Sequence, residues 1–464
     1  MKRTKIIGLM TVLVLVVAAC TSDSGDTTTT AAGEPTTTAA AAPSTTAAAG
    51  PSTTAATGEN PLADYGEDPT AADPALVTKA LGDVEPSDEA SWNIVLASVA
   101  RANRDLAVAG IDVDKAIECW SEPECDTGSG GDVIMGYADG GGNEVNVWRS
   151  VSHMEAVLQA LTYPEIGTIV STAANFGGPT FDPTIAENDV LFLIDRGVDF
   201  IVGYPDIGIG LAEEVLAAEE AGIPYIPFSA GWVGLPDQGG ALVPGQDYLT
   251  VVGEDLCELG NSFAGILNEN VGGGEVGMLG GTTGNALTLG WQRCAVPALA
   301  DGGSQLVNPP PDENTTTGDT SWVNAFALDQ VRGLLTTNPE IAGWTYEYSD
   351  GLYTALQAYD ELGIPVQNLS VALRTDEQTL FCDWVDRAEP TYNIWYSAGG
   401  NFQSRIGVTV AMMNIAGATI PAEVVVPHVM RQVTELDCNP NRVNPVVSGT
   451  SLVPDEVLAL MFAG

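Results

Sequence analysis

DFIVGYPDIGIGLAEEVLAAEEAGIPYIPFSA, residues 199–230, is the stretch on which the fold turns. It reads as an apolar strand at 200–204, a turn at Pro205-Asp206, a helix, the tetrapeptide Ala221-Gly222-Ile223-Pro224 and a second short strand at 225–228. Short apolar runs alternating with amphipathic helices are the mark of a parallel sheet covered on both faces. The alternation extends in both directions from Asp132 onward. Further strands are expected at 133–137, 168–172, 250–253, 276–280, 344–346, 369–373 and 394–397. Between them, Asp182 and Pro183 open a helix that sets Ala186, Val190, Leu193 and Ile194 on one face. Leu259, Phe263, Ile266 and Leu267 line a second helix, and Val323, Ala327, Val331, Leu334 and Leu335 a third. This is more than one doubly wound sheet needs, so the expected fold is α/β with two doubly wound parallel-sheet lobes.

Ligands of such sheets bind beyond the carboxyl ends of the strands. Those ends carry Asp139, Pro205-Asp206, the run from Ser229 to Trp232, and Ser349-Asp350, which points to a cleft. Trp148, Trp232, Trp291, Trp322 and Trp395 fall near strand ends or helix starts. Flat aromatic faces against the C–H surface of a ring, with acids and amides for its hydroxyls, are what a sugar site requires.

Motifs of catalysis are missing from the sequence. There is no GxSxG elbow, GxxxxGK[ST] loop or HExxH pair, and the glycines at 272–274 and 280–281 lack dinucleotide-fingerprint spacing. His153 and His428 are the only histidines, and a structural role is expected for both. No CxxC occurs, so neither a metal nor another cofactor is expected, and the chain reads as a binder rather than an enzyme.

Appendages surround this body. Residues 1–20 combine Lys2, Arg3 and Lys5 with an apolar run and end in Val17-Ala18-Ala19-Cys20, which reads as an export signal. Residues 21–60 are almost wholly Thr, Ala, Ser, Pro and Gly and read as a disordered tether. Residues 61–131 form an acidic, partly helical extension in which Ile94, Val95, Val99 and Leu106 make an apolar stripe. With Cys20 set aside, Cys119, Cys125, Cys257, Cys294, Cys382 and Cys438 are an even set suited to an oxidising compartment. Sequence order pairs 119 with 125, 257 with 294 and 382 with 438, among the many pairings six cysteines allow. The net charge of -45 excludes nucleic acid as a partner and leaves membrane attachment to a lipid rather than to charge.

The segments have relatives in one family. Residues 199–230 resemble the strand, Pro-Asp turn, helix, AGIP and strand of the sugar-binding type I periplasmic binding proteins. VGEDLCELG from Val252, EVGMLGGTTGN from Glu275, TSWVNAFALDQVRGLLTTNPEI from Thr320 and SDGLYTALQAYDELG from Ser349 follow in the family's order. The residues before Cys20 resemble a bacterial lipoprotein's lipobox. The resemblance spans residues 132–433 and implies lobes at 132–254 and 255–375, joined by crossing hinge strands, with 376–464 as hinge return, first-lobe completion and tail. Closure of the lobes would then be read by an ABC permease.

By the same resemblance, Trp322 and Asp350 fall on ligand-contacting positions, Trp148 takes the place of an aromatic after the first strand, Asn401 that of an amide before the final helix, and Asp206 that of the Pro-Asp turn. Asp376 and Arg293 lie within a residue or two of family charges. Where the family commonly carries Asp-Arg after AGIP, this chain has Ser229-Ala230 followed by Gly231-Trp232, so a charged clamp is lost and Trp232 is expected to stack instead. The expected function is capture of a small polar ligand, carbohydrate before amino acid, by a lipoprotein held through Cys20 to the outer face of the cytoplasmic membrane. The alternatives are a lipid-anchored sensory receptor and a secreted hydrolase.

Overall fold

A computed structural model describes residues 60–86, 88–102, 112–140, 147–173, 183–205, 207–230, 242–312, 315–366, 368–387, 392–439 and 447–463. The signal, Cys20, nearly all of the tether, Leu106, Asp182, Asp206 and Trp232 lie outside the described residues.

The extension supplies α1 (Pro74–Leu81), α2 (Glu89–Ala102), α3 (Val113–Ser121) and a short strand β1 (Glu124–Asp126). Then follow β2 (Val133–Ala138), α4 (Val147–Ala160), β3 (Ile166–Ser171), α5 (Pro183–Arg196), β4 (Phe200–Gly203), α6 (Ala212–Glu220) and β5 (Tyr225–Pro227). After β6 (Val251–Gly253) come α7 (Leu256–Val271), β7 (Glu275–Met278), α8 (Ala286–Asp301), β8 (Gln305–Leu306) and α9 (Asn324–Thr337). Next are β9 (Gly343–Tyr346), α10 (Ser349–Leu362), β10 (Ser370–Leu373), α11 (Gln378–Asp386) and β11 (Asn393–Tyr396). The chain ends with α12 (Gln403–Ile415), β12 (Glu423–Val425), β13 (Arg431–Gln432) and α13 (Asp455–Met461).

Two large sheets result, in the orders β1-β3-β2-β4-β5 and β13-β11-β10-β9-β7-β8, with β6 and β12 forming a small two-stranded sheet. Only the edge strands β1 and β13 run antiparallel to their neighbours. The strands expected from sequence all form, because each is an apolar run largely buried in the fold. The short strands β1, β8, β12 and β13 were not expected. Winding reverses at β2 in one lobe and at β7 in the other, which opens a crevice beyond the carboxyl ends of each.

The second lobe does not end at residue 375 as expected. β11 pairs in parallel with β10, Ser370 opposite Asn393 through Leu373 opposite Tyr396, so the chain stays in that lobe to Tyr396. It then returns to the first lobe, where α12 packs on α4 and α2. α12 is buried from Gln403 to Met413, a helix without a solvent face. The chain therefore crosses between the lobes after β6, after β11 and after β12. The first and third strands, β6 and β12, pair in parallel with each other.

The extension belongs to the first lobe. Ile94, Val95 and Val99 of α2 are buried, as the stripe required. At its end Arg101 pairs with Glu67 at 2.8 Å and lies 3.7 Å above the Tyr163 ring, while Tyr163 Oη donates to Glu67 Oε1 at 2.9 Å. β1 caps the β3 edge of the sheet and is held by a Cys119–Cys125 disulfide. Cys257–Cys294 joins α7 to α8, and Cys382–Cys438 ties α11 to the segment after β13.

Candidate functional site

The cleft between the lobes narrows to a cavity of about 30 Å³ walled by Trp148, Arg149, Tyr204, Leu287, Trp322, Glu347, Tyr348, Arg374 and Thr375. Each comes from the carboxyl end of a strand or the start of the following helix. Tyr204 follows β4, Glu347 and Tyr348 follow β9, Arg374 and Thr375 follow β10, and Trp148, Arg149 and Leu287 open α4 and α8.

Aromatic rings make most of the wall. Trp148 meets Tyr204 edge to face at 5.5 Å and stacks near Phe228 at 6.2 Å, and Tyr204 reaches across the cleft to Trp322 at 6.2 Å. Trp148 Nε1 donates to Gly399 O at 3.0 Å, which fixes the indole against the second crossing. Trp322 and Ser229 both hold left-handed backbone, φ 54° and 69°. Such conformations cost about 1–3 kcal/mol in a non-glycine residue and cluster at binding sites. Gly281 makes room for the ring, since a Cβ there would lie 2.1 Å from Trp322 Cε2.

Both arginines of the wall are paired within the protein. Arg149 pairs with Asp139, both buried, and its guanidinium lies 5.1 Å from the Tyr204 centroid and 5.9 Å from that of Trp322. Arg374 pairs with Glu254 at 2.9 Å and donates to Ser229 Oγ at 2.6 Å. Burial opposes the Arg374 charge, but Glu254 and its neighbours outweigh it and hold the guanidinium above its usual range. Glu347 accepts from Thr288 Oγ1 at 2.5 Å, Trp322 Nε1 at 2.7 Å and Trp291 Nε1. Burial pushes its carboxyl upward against those three donors.

Arg374 alters the expectation of a lost clamp. The cation missing after AGIP is present in space, because Arg374 extends from the second lobe to Ser229 in the first. The lobes touch elsewhere too. Asn285 Nδ2 donates to Pro205 O at 3.5 Å, and Gly208 sits so close to Gly284 that a Cβ on it would lie 2.5 Å from the Gly284 carbonyl oxygen. This is a closed arrangement.

Of the residues singled out from sequence, Trp148 and Trp322 line the cavity, and Ser229 holds Arg374 beside it. Asn401 stands behind Trp148, donating to its carbonyl at 2.9 Å. Asp350 accepts from Asn324 at 2.7 Å and from Tyr348 Oη at 3.4 Å, one residue removed from the wall. Arg293 is not brought to the cavity: it is half-buried on α8, beside the disulfide-bonded Cys294. Leu287, one turn and a half earlier, occupies the wall instead. Asp376 turns away as well, its carboxylate taken by Ser448 Oγ and, at 2.9 Å, Thr450 N. His153 is buried against Tyr137 with ring centroids 4.6 Å apart, and burial lowers it to about 3, so it is neutral. Arg149, Tyr204, Glu347, Tyr348 and Arg374 were missed. A cation at a strand end in a chain this acidic was the available signal for Arg374.

No protein-family model matches the sequence, and no curated protein matches it. Solved structures do. The periplasmic binding component of an arabinose ABC transporter from Shewanella sp. ANA-3, bound to α- and β-L-arabinofuranose, is 14% identical, with a TM-score of 0.53 over 65% of this chain and 92% of that one. An ABC transporter solute-binding protein from Agrobacterium vitis with bound α-D-tagatopyranose is 16% identical, with a TM-score of 0.54 over 68% of this chain and 99% of its own. One from Bacillus halodurans with bound myo-inositol is 15% identical, with a TM-score of 0.52 over 67% of this chain and 97% of its own. At these identities the likeness is one of fold.

Proposed function

We propose that this chain, whose fold is that of the type I periplasmic binding proteins, captures a small neutral polyhydroxylated ligand between its lobes and hands it unchanged to an ABC permease. The observation that carries this reading is a cavity between two lobes, walled by Trp148, Tyr204 and Trp322, whose two arginines are each already paired with a carboxylate inside the protein. Flat faces suit the C–H surface of a ring. Arg149 and Arg374, each already paired, can donate to hydroxyls without taking a new counter-charge, and Glu347 offers an acceptor, which disfavours anionic ligands such as sugar acids and sugar phosphates. The bound sugars and cyclitol of the structural neighbours support the same ligand class.

The closed cavity has room for about one water and is well below the ~300 Å³ of ordinary ligand pockets. Entry therefore requires the lobes to part and the wall to re-form around the ligand. Export through the leader at 1–20 and anchoring at Cys20 complete the reading, supported by the three disulfides, which persist outside reducing compartments.

Thermal unfolding of the disulfide-intact protein against pentoses, hexoses, inositols, sugar acids, amino acids and nucleosides tests it. A ligand at about a hundred times its Kd adds about 2.7 kcal/mol. A neutral sugar or cyclitol that raises the midpoint and is recovered intact is the expected result. A shift by charged solutes only would sink the ligand class, and consumption of the compound would sink the binding-protein reading.

A further inference from the structure

Residues 447–453 grip both lobes within a few residues. Ser448 Oγ donates to Asp376 Oδ1, Thr450 N donates to Asp376 Oδ2 at 2.9 Å, and Ser448 forms an antiparallel bridge with Glu377. Asp376 lies between β10 and α11 and so belongs to the second lobe. The next residue reaches the first lobe. Ser451 Oγ donates to Glu155 Oε1 of α4 at 2.9 Å, and the backbone N–H groups of Leu452 and Val453 donate to the same oxygen at 2.7 and 3.1 Å. The other oxygen of Glu155 accepts from Arg405 of α12. Ser448, Thr450, Ser451, Asp376 and Glu155 are all buried, and α13 beyond them packs on α3.

We propose that this segment is a strap, a fourth connection between the lobes that limits how far and about which axis they open. Its two anchors are on consecutive residues, and one residue of extended chain spans at most ~3.6 Å. The lobes cannot separate at this point by more than that without releasing an anchor. Glu155 is one helical turn from Ser152, whose Oγ accepts from Asn401 of the second crossing at 3.3 Å. The strap thus runs beside the hinge, where it stiffens rotation instead of blocking the cleft. Neither anchor lines the cavity, and the inference holds whatever the ligand is.

The test needs no ligand. Donor and acceptor dyes on non-natural residues replacing Leu216 of α6 and Phe326 of α9, exposed by 43% and 51%, report the distance between lobes in single molecules of the full chain. A flexible insertion of about six Gly and Ser residues between Thr450 and Ser451 keeps both anchors and adds ~20 Å of slack. The population at long distance is expected to rise roughly a hundredfold over the parent, the factor that corresponds to the two charge-assisted hydrogen bonds to Asp376 that parting the parent's lobes would break. Ser448→Ala, which keeps the chain length and loses one bond to Asp376, is expected to shift the population the same way and less. Either shift supports the strap. Parent-like distance distributions in the folded insertion variant overturn it, and if that variant does not fold, a parent-like Ser448→Ala overturns it.

Discussion

Replacing Glu377 with glutamine should remove a specific part of the protein's pH dependence. Its carboxylate follows Asp376, is fully buried and accepts from Ser349 Oγ and Thr375 Oγ1 through one oxygen, while the other is buried with no partner. Burial raises its pKa from 4.5 to about 7, opposed by the two hydroxyls. Between those values the folded protein holds a proton that the unfolded chain has released. Stability from this group is therefore full below about pH 4.5, falls through the window, and is lost above about 7. At 1.36 kcal/mol per unit the loss is about 3 kcal/mol. Glutamine keeps an oxygen for both hydroxyls and carries no charge to bury. Urea midpoints at about pH 5 should agree for parent and Glu377→Gln within about 1 kcal/mol, and at about pH 8 the variant should be more stable by about 3 kcal/mol. The other acids titrate in both proteins and cancel. An identical pH slope in the two would refute the reasoning.

Three further outcomes are expected. Gly208→Ala places a Cβ 2.5 Å from the Gly284 carbonyl oxygen at a φ of 53°, so closure should be blocked; ligand titration should show affinity weakened at least about tenfold, with lobe stability lowered by no more than the about 1–3 kcal/mol that left-handed backbone costs a non-glycine residue. Arg374→Met leaves Glu254 buried without its cation and should cost about 3–5 kcal/mol by denaturant midpoint, with part of the loss recovered in the Arg374→Met, Glu254→Gln double variant. Arg101→Met strands Glu67 in the same way, and limited proteolysis should then cut between α1 and α2 before the lobes are attacked.

How much of this was legible follows from what each feature depends on. The strands of both sheets could be read because each is a local apolar run, and α7 and α9 because their apolar positions repeat at helical spacing. The lobe boundary at 375 failed because the sequence of 393–396 says strand but not which lobe, and only the register of β11 on β10 decides. Short edge strands such as β8 and β13, two residues each, carry no periodicity at all. In the site, Trp148 and Trp322 stood out as large aromatics beside strand ends. Arg149 and Arg374 did not, because a buried arginine is legible only once its carboxylate is known, and Asp139 and Glu254 are 10 and 120 residues away. Arg293 and Asp376 were charges in nearly the right place in the chain whose side chains the fold spends elsewhere.

The three-residue strand β1 has a consequence for how the protein keeps apart from its own copies. Without it, β3 would offer solvent a row of unpaired N–H and C=O groups, the template on which neighbouring molecules pair edge to edge. β1 occupies that row in antiparallel register, and Cys119–Cys125 fastens it to α3 from six residues away. The extension is in this sense a guard against self-association. Reduction of Cys119–Cys125 would free β1 and leave the β3 edge open to a neighbouring copy of the protein.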